Sequence, residues 1–156
     1  MKFRGNYSYS IDSKGRVMLP TDIRNVLKER DTDILVALPG FSSNYRYLFL
    51  LPSDYSRRIE DRLDNLKFFD VKAQKIFTFF YGNSFEIKLD SQGRIRLPQL
   101  LLEKNGLKKE LIITGEGDFM KLWTPDDYKK MTQEEFSPEG TNLTEILRYI
   151  NEKYDI

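Results

Sequence analysis

Residues 7–20 read Tyr-Ser-Tyr-Ser-Ile-Asp-Ser-Lys-Gly-Arg-Val-Met-Leu-Pro, and residues 85–98 read Phe-Glu-Ile-Lys-Leu-Asp-Ser-Gln-Gly-Arg-Ile-Arg-Leu-Pro. The stretches lie 78 positions apart and share six identities: Asp12/Asp90, Ser13/Ser91, Gly15/Gly93, Arg16/Arg94, Leu19/Leu97 and Pro20/Pro98. Apolar matches flank them at Tyr7/Phe85, Ile11/Leu89 and Val17/Ile95. Further along, Ile34-Leu35-Val36 matches Leu111-Ile112-Ile113, and Pro52-Ser53-Asp54-Tyr55 matches Pro125-Asp126-Asp127-Tyr128 at an offset reduced to 73. Four landmarks in one order mark an internal duplication. The shrinking offset puts an insertion in the first copy, within 39–46.

Each copy reads the same way. Tyr7, Tyr9 and Ile11, like Phe85, Ile87 and Leu89, alternate as in a half-buried strand. Asp-Ser-x-Gly is a turn signal, because Asp accepts from its own backbone and Gly tolerates a positive φ. A second strand follows with Val17 and Leu19 (Ile95 and Leu97) inward and Arg16 (Arg94) pointing the other way. Pro20 and Pro98 suit the first turn of a short helix. A second strand pair closes each copy. Between the copies, Tyr55, Ile59, Leu63 and Leu66 lie at helical spacing, and Lys67 to Gly82 holds a second helix candidate with Val71, Ile76, Phe79 and Phe80. The chain ends in an amphipathic helix with Leu143, Ile146, Leu147 and Ile150 on one side. Neither copy can bury both faces of so few strands alone. The expectation is an α+β fold: a pseudo-two-fold double-hairpin β-barrel from two repeats, with linking and C-terminal helices. The expected divisions are 1–54, first repeat; 55–82, linking helices; 83–128, second repeat; and 129–156, an acidic tail with a helix.

Composition narrows the chemistry. The chain of 156 residues contains no histidine and no cysteine. Disulfides, zinc ribbons and Cys–His nucleophiles are excluded, and the commonest general base is missing. No catalytic residue, metal or cofactor is expected, nor a small-molecule substrate. No apolar run approaches the roughly 18 residues of a membrane span, so no membrane partner is expected and the chain reads as cytoplasmic. The net charge of +1 conceals a gradient: residues 1–30 hold seven basic and three acidic side chains, while residues 126–156 hold four basic and eight acidic. Such a chain can own a basic face without a basic total.

In these residues the chain resembles the MraZ family of the AbrB/SpoVT-like swapped-hairpin group. The matching features are Phe3-Arg4-Gly5, Asp12-Ser-Lys-Gly-Arg16 with Leu19-Pro20, Asp90-Ser-Gln-Gly-Arg94 with Leu97-Pro98, and Gly115 through Phe119 to Leu122-Trp123. The similarity covers about residues 1–130. The resemblance implies a transcriptional regulator that binds double-stranded DNA at short direct repeats upstream of the division and cell-wall gene cluster. It also implies a nucleoid-associated, ring-shaped homo-oligomer, with Asp-x-x-x-Arg loops that contact DNA. Here those loops are Asp12 to Arg16 and Asp90 to Arg94. Two departures stand out: Lys72 and Lys75 occupy a linker that commonly carries arginines, and Gln92 replaces Lys14 in the second loop.

Chemistry assigns roles within the loops. The planar fork of Arg16 or Arg94 meets O6 and N7 of guanine together, and a two-stranded ribbon fits the major groove. Lys14 suits a phosphate, which orients without specifying. Gln92 suits adenine or the backbone. Arg4, Arg24 and Arg96 are second-rank candidates for the same basic surface. Asp12 and Asp90, repelled by phosphates, orient the loop with Gly15 and Gly93. Two other functions compete. Asp12 and Asp90 could form a paired-carboxylate site of the aspartic-protease kind, but that motif wants Asp-Ser/Thr-Gly, and an extra residue separates Ser from Gly in both copies. The other is a ring-forming scaffold that never touches DNA. The DNA reading falls if both tips are packed inside the molecule, or if their arginines are tied up in internal ion pairs and hidden from solvent.

Overall fold

The Asp-Ser-x-Gly-Arg turn reverses the chain twice. In the computed structural model, which describes residues 1–136 and 141–155, β1 (Asn6–Ser10) leads through it into β2 (Arg16–Met18), and β5 (Phe85–Lys88) into β6 (Arg94–Arg96). Pro20 and Pro98 follow, with φ of −55° and −57°, as N-cap residues of α1 (Thr21–Glu29) and α4 (Gln99–Lys104), one position earlier than the first-turn placement. Neither proline needs an N–H there, and each ring holds a φ that feeds the helix. Ile23, Val26 and Leu27 face inward from α1, and Leu101 and Leu102 from α4. The strands β3 (Ile34–Pro39) and β4 (Tyr47–Pro52) finish the first copy, and β7 (Glu110–Gly115) and β8 (Met120–Trp123) the second. The β3–β4 connection spans 40–46 and the β7–β8 connection only 116–119, so the insertion is where the offset placed it. The remaining helices are α2 (Ser53–Leu63), α3 (Val71–Phe80), α5 (Pro125–Glu135) and α6 (Leu143–Tyr154). Leu66, grouped with α2 by spacing, falls past its end.

Six strands form one sheet in the order β1-β7-β8-β4-β3-β5, and β2 and β6 form a separate antiparallel ribbon. Exchanging the copies merely reverses the order, which is the signature of a pseudo-two-fold axis. Two central pairs straddle that axis: β4 with β8 (Leu48 opposite Leu122) and β2 with β6 (Val17 opposite Ile95). The first strand of each copy pairs with the other copy, Tyr7 opposite Ile113 and Phe85 opposite Ala37. Neither repeat therefore owns a complete sheet. Phe85, expected inward, is exposed, because it opens an edge strand.

Sheet and ribbon share one core. Val17, Leu19, Ile95 and Leu97 from the ribbon meet Leu35, Leu50, Leu111, Ile113 and Leu122 from the sheet, all nearly inaccessible. Each such side chain contributes roughly 1.5–3 kcal/mol on burial. Truncating Leu19 or Leu97 to Ala would cost roughly 2–5 kcal/mol and loosen the ribbon first. The helices α2 and α5, also related by the duplication, cover the other sheet face. Tyr55 and Ile59 pack beside Val36 and Leu51, and Tyr128 packs beside Tyr47 and Trp123. Among the described residues the apolar side of α6 meets nothing comparable: Leu143, Ile146 and Leu147 remain exposed. Among the described residues no helix is long and apolar enough to cross a membrane.

Candidate nucleic-acid interface

In the first loop, Asp12 Oδ1 accepts hydrogen bonds from the backbone N–H of Lys14 (2.9 Å) and of Arg16 (2.8 Å), while Oδ2 accepts from Arg16 Nε at 2.7 Å. The second loop repeats this: Asp90 Oδ1 accepts from Gln92 N (2.8 Å) and Arg94 N (2.9 Å), and Oδ2 from Arg94 Nε at 3.0 Å. The donated bonds, led by the backbone N–H of Arg16, hold the Asp12 carboxyl down to about 2, and those led by Arg94 N lower Asp90 as well. Gly15 (φ +78°) and Gly93 (φ +81°) occupy the left-handed region, where any Cβ is strained. At Gly15 it would lie 2.9 Å from the carbonyl oxygen of Leu97, and at Gly93 it would lie 2.6 Å from Arg24 Cδ.

The aspartates also decide how the arginines stand. Each carboxylate holds the Nε edge, and among the described residues the terminal Nη groups of Arg16 and Arg94 make no hydrogen bond. The ion pairs do not hide the cations: 32% of the Arg16 side chain and 27% of the Arg94 side chain stay open to solvent. An oriented guanidinium loses less entropy when it meets a planar acceptor pair. The same bonds argue against a carboxylate dyad. Such a site needs one carboxyl raised, and both are lowered, each tied to its own loop.

The ribbon gathers the two loops. Arg16 stands opposite Arg96, Val17 opposite Ile95, and Met18 opposite Arg94. Val17 and Ile95 point into the core, so Arg16, Met18, Arg94 and Arg96 share the outward face. Reciprocal bonds, Leu19 N to Gly93 O (3.0 Å) and Leu97 N to Gly15 O (2.8 Å), clamp each loop to the opposite repeat. Lys14 and Gln92 are exposed at the tips. Arg24 is pinned against the second loop, with Nε donating to Leu19 O (3.0 Å) and Nη2 to Thr21 Oγ1 (3.1 Å). The equivalent position in the second copy is Leu102, which packs beside Gly15. Arg4 is placed apart. It precedes β1 at the end far from the loop, and it lines a cleft with Asp22 and Glu29 on another flank of α1.

Met18 and Lys28 were not among the sequence candidates. Lys28 shares a polar cleft with Arg24, Asp31, Asp33 and Asp90. Met18 was open to detection: at the repeat offset it falls where the second copy has Arg96. Its placement opposite Arg94 needs the register. Among the described residues, no cluster of three or more His, Cys, Asp or Glu is arranged to hold a metal.

The arrangement agrees with the relationships of the chain. It is 30% identical over 145 residues to the transcriptional regulator MraZ of Maridesulfovibrio salexigens, covering 93% of this chain and 95% of that protein. The chain belongs to the MraZ family. The MraZ protein of Heliobacterium modesticaldum, also named a transcriptional regulator, is 32% identical over 93% of this chain and 96% of its own. That of Alkaliphilus oremlandii is 33% identical over 85% of this chain and 88% of its own. The family model described as "MraZ protein, putative antitoxin-like" matches residues 80–148, which include the whole second loop. Membership accords with the α+β double-hairpin architecture.

Proposed function

We propose that this chain is a sequence-specific, DNA-binding transcriptional regulator that reads short direct repeats upstream of its own division and cell-wall operon through its two Asp-x-x-x-Arg loops. The observation that carries this reading is the shared outward face of Arg16, Arg94 and Arg96, with both loop arginines oriented by aspartate and open to solvent. The names of the relatives support it. Residues 1–54 and 83–128 are the paired reading units, 55–82 link them, and 129–156 form a tail. Each chain offers few cations, so strong binding needs several copies in a ring on successive repeats, which gain from effective concentration. The protein works in the cytoplasm, on the nucleoid.

The test is fluorescence anisotropy of the purified protein with its own upstream DNA. Affinity falls steeply with salt, and duplexes carrying three repeats bind far more tightly than duplexes carrying one. Equal affinity for the two duplexes, or salt-indifferent binding, overturns the reading.

One observation favours a second reading, a ring-forming scaffold without DNA readout. Phe69, Phe79 and the apolar side of α6 are exposed, which is unusual for a monomer. Arg16→Ala/Arg94→Ala separates the two: a DNA reader keeps its assembly and loses specific binding, whereas a scaffold loses nothing.

A further inference from the structure

Building on the DNA reading proposed above, we propose that Met18 is a specificity-determining residue that takes the C5-methyl group of a thymine beside the base met by Arg94. Met18 is 36% exposed on the outward face of the ribbon, directly opposite Arg94. Side chains so paired have Cβ atoms roughly 4.5–5.5 Å apart. Successive base pairs are stacked about 3.4 Å apart. The two side chains therefore address the same base pair or its neighbour. The major groove displays donors and acceptors and a single apolar group, the thymine methyl. A thioether chain without charge or strong donor matches only that group, and its flexibility lets it close on a small target.

The other end of the ribbon is different. There Arg16 faces Arg96, two cations directly opposed on an exposed face. Like charges so placed repel unless an anion or an electron-rich edge lies between them. The ribbon thus ends in two guanidinium groups on one side and in one guanidinium plus a methionine on the other. A pseudo-two-fold ribbon with identical ends would accept a site in either direction. The Met18/Arg96 difference breaks that degeneracy on the ribbon face itself and adds to the polarity that Lys14 and Gln92 give the loop tips.

The experiment begins by selecting duplexes from a random library with the wild-type chain. The enriched sequence is then resynthesised with each thymine replaced in turn by deoxyuridine, which removes only the methyl group. One position should weaken wild-type binding by about four-fold, the worth of one buried carbon. Met18→Ala should bind the thymine and deoxyuridine duplexes equally, with at most a small fall in melting temperature because the side chain lies outside the core. Met18→Arg should lose the methyl effect and prefer one direction of the site less strongly than the wild type, with the remaining preference left to Lys14 and Gln92. If the wild type enriches a sequence but ignores every methyl, or if Met18→Ala keeps the preference, the role of Met18 is wrong while DNA reading stands. If no sequence is enriched, DNA reading itself falls and takes this inference with it.

Discussion

In the first loop Asp12 Oδ1 holds the N–H groups of Lys14 and Arg16 at 2.9 and 2.8 Å, and in the second Asp90 Oδ1 holds those of Gln92 and Arg94 at 2.8 and 2.9 Å. The skeletons are interchangeable and their surroundings are not. The first loop adds Lys14 at its tip and has Arg96 across the ribbon, with the neutral Leu102 beneath Gly15. The second has Gln92 and Met18 in those places, with Arg24 beneath Gly93. Duplication preserved the hydrogen bonds that make the turn, and divergence worked on what the turn presents. On the proposed DNA reading, the first loop should be the stronger anchor and the second the more discriminating partner.

The widest gap between the loops should appear in DNA binding. Arg16→Ala removes a cation from the richer cluster, and a bidentate contact to guanine is worth about 1–3 kcal/mol, or roughly 5- to 150-fold in affinity. Arg94→Ala should fall lower in the same range, measured by anisotropy at one salt concentration. Equal losses would mean that the flanking residues contribute nothing. Stability comes next. Gly15→Ala must push its methyl against the backbone oxygen of Leu97, whereas Gly93→Ala meets the Arg24 side chain, which can give way by loosening its hydrogen bonds to Leu19 O and Thr21 Oγ1. Both pay the left-handed penalty of about 1–2 kcal/mol. Only Gly15→Ala adds a clash with backbone, so its melting temperature should fall further, by several degrees for a chain of this size. A larger drop for Gly93→Ala would show that Arg24 is as fixed as a backbone atom. A smaller effect is expected from exchanging the tips. Lys14→Gln should reduce the slope of log affinity against log salt by about one, and Gln92→Lys should increase it by as much.

The parts of this picture that local chemistry dictates were legible in the sequence. Asp12, Gly15 and Pro20 announce a turn and a helix start wherever they occur, and the second copy at Asp90, Gly93 and Pro98 announced the symmetry. The insertion was legible as an offset change alone. What stayed hidden depends on pairing across a long sequence separation. That β1 joins β7 and not a strand of its own copy, or that Met18 stands opposite Arg94, is decided when both repeats condense on one core. Arg4 shows the converse. It is close to the first loop in sequence, but one strand carries the chain away from Arg4 before the loop begins.

Acidity should separate the loops by the smallest margin. Both aspartates have carboxyls lowered by folding, Asp12 to about 2. A group whose folded value is depressed contributes stability that is complete above its unfolded value, near 4, and that is lost as pH falls through the folded value. The chain has no histidine, so no side chain of ordinary pKa changes charge between about pH 5.5 and 8, and neither loop should respond there. Below pH 4 they should part. The Asp12–Arg16 contact is 2.7 Å and the Asp90–Arg94 contact 3.0 Å, so the second loop holds its proton-free state less firmly. Carboxyl carbon shifts followed by NMR should show Asp90 taking up its proton before Asp12 as acid is added. The reverse order would mean that the charges around each loop, and not the hydrogen bonds within it, set the acidity of its aspartate.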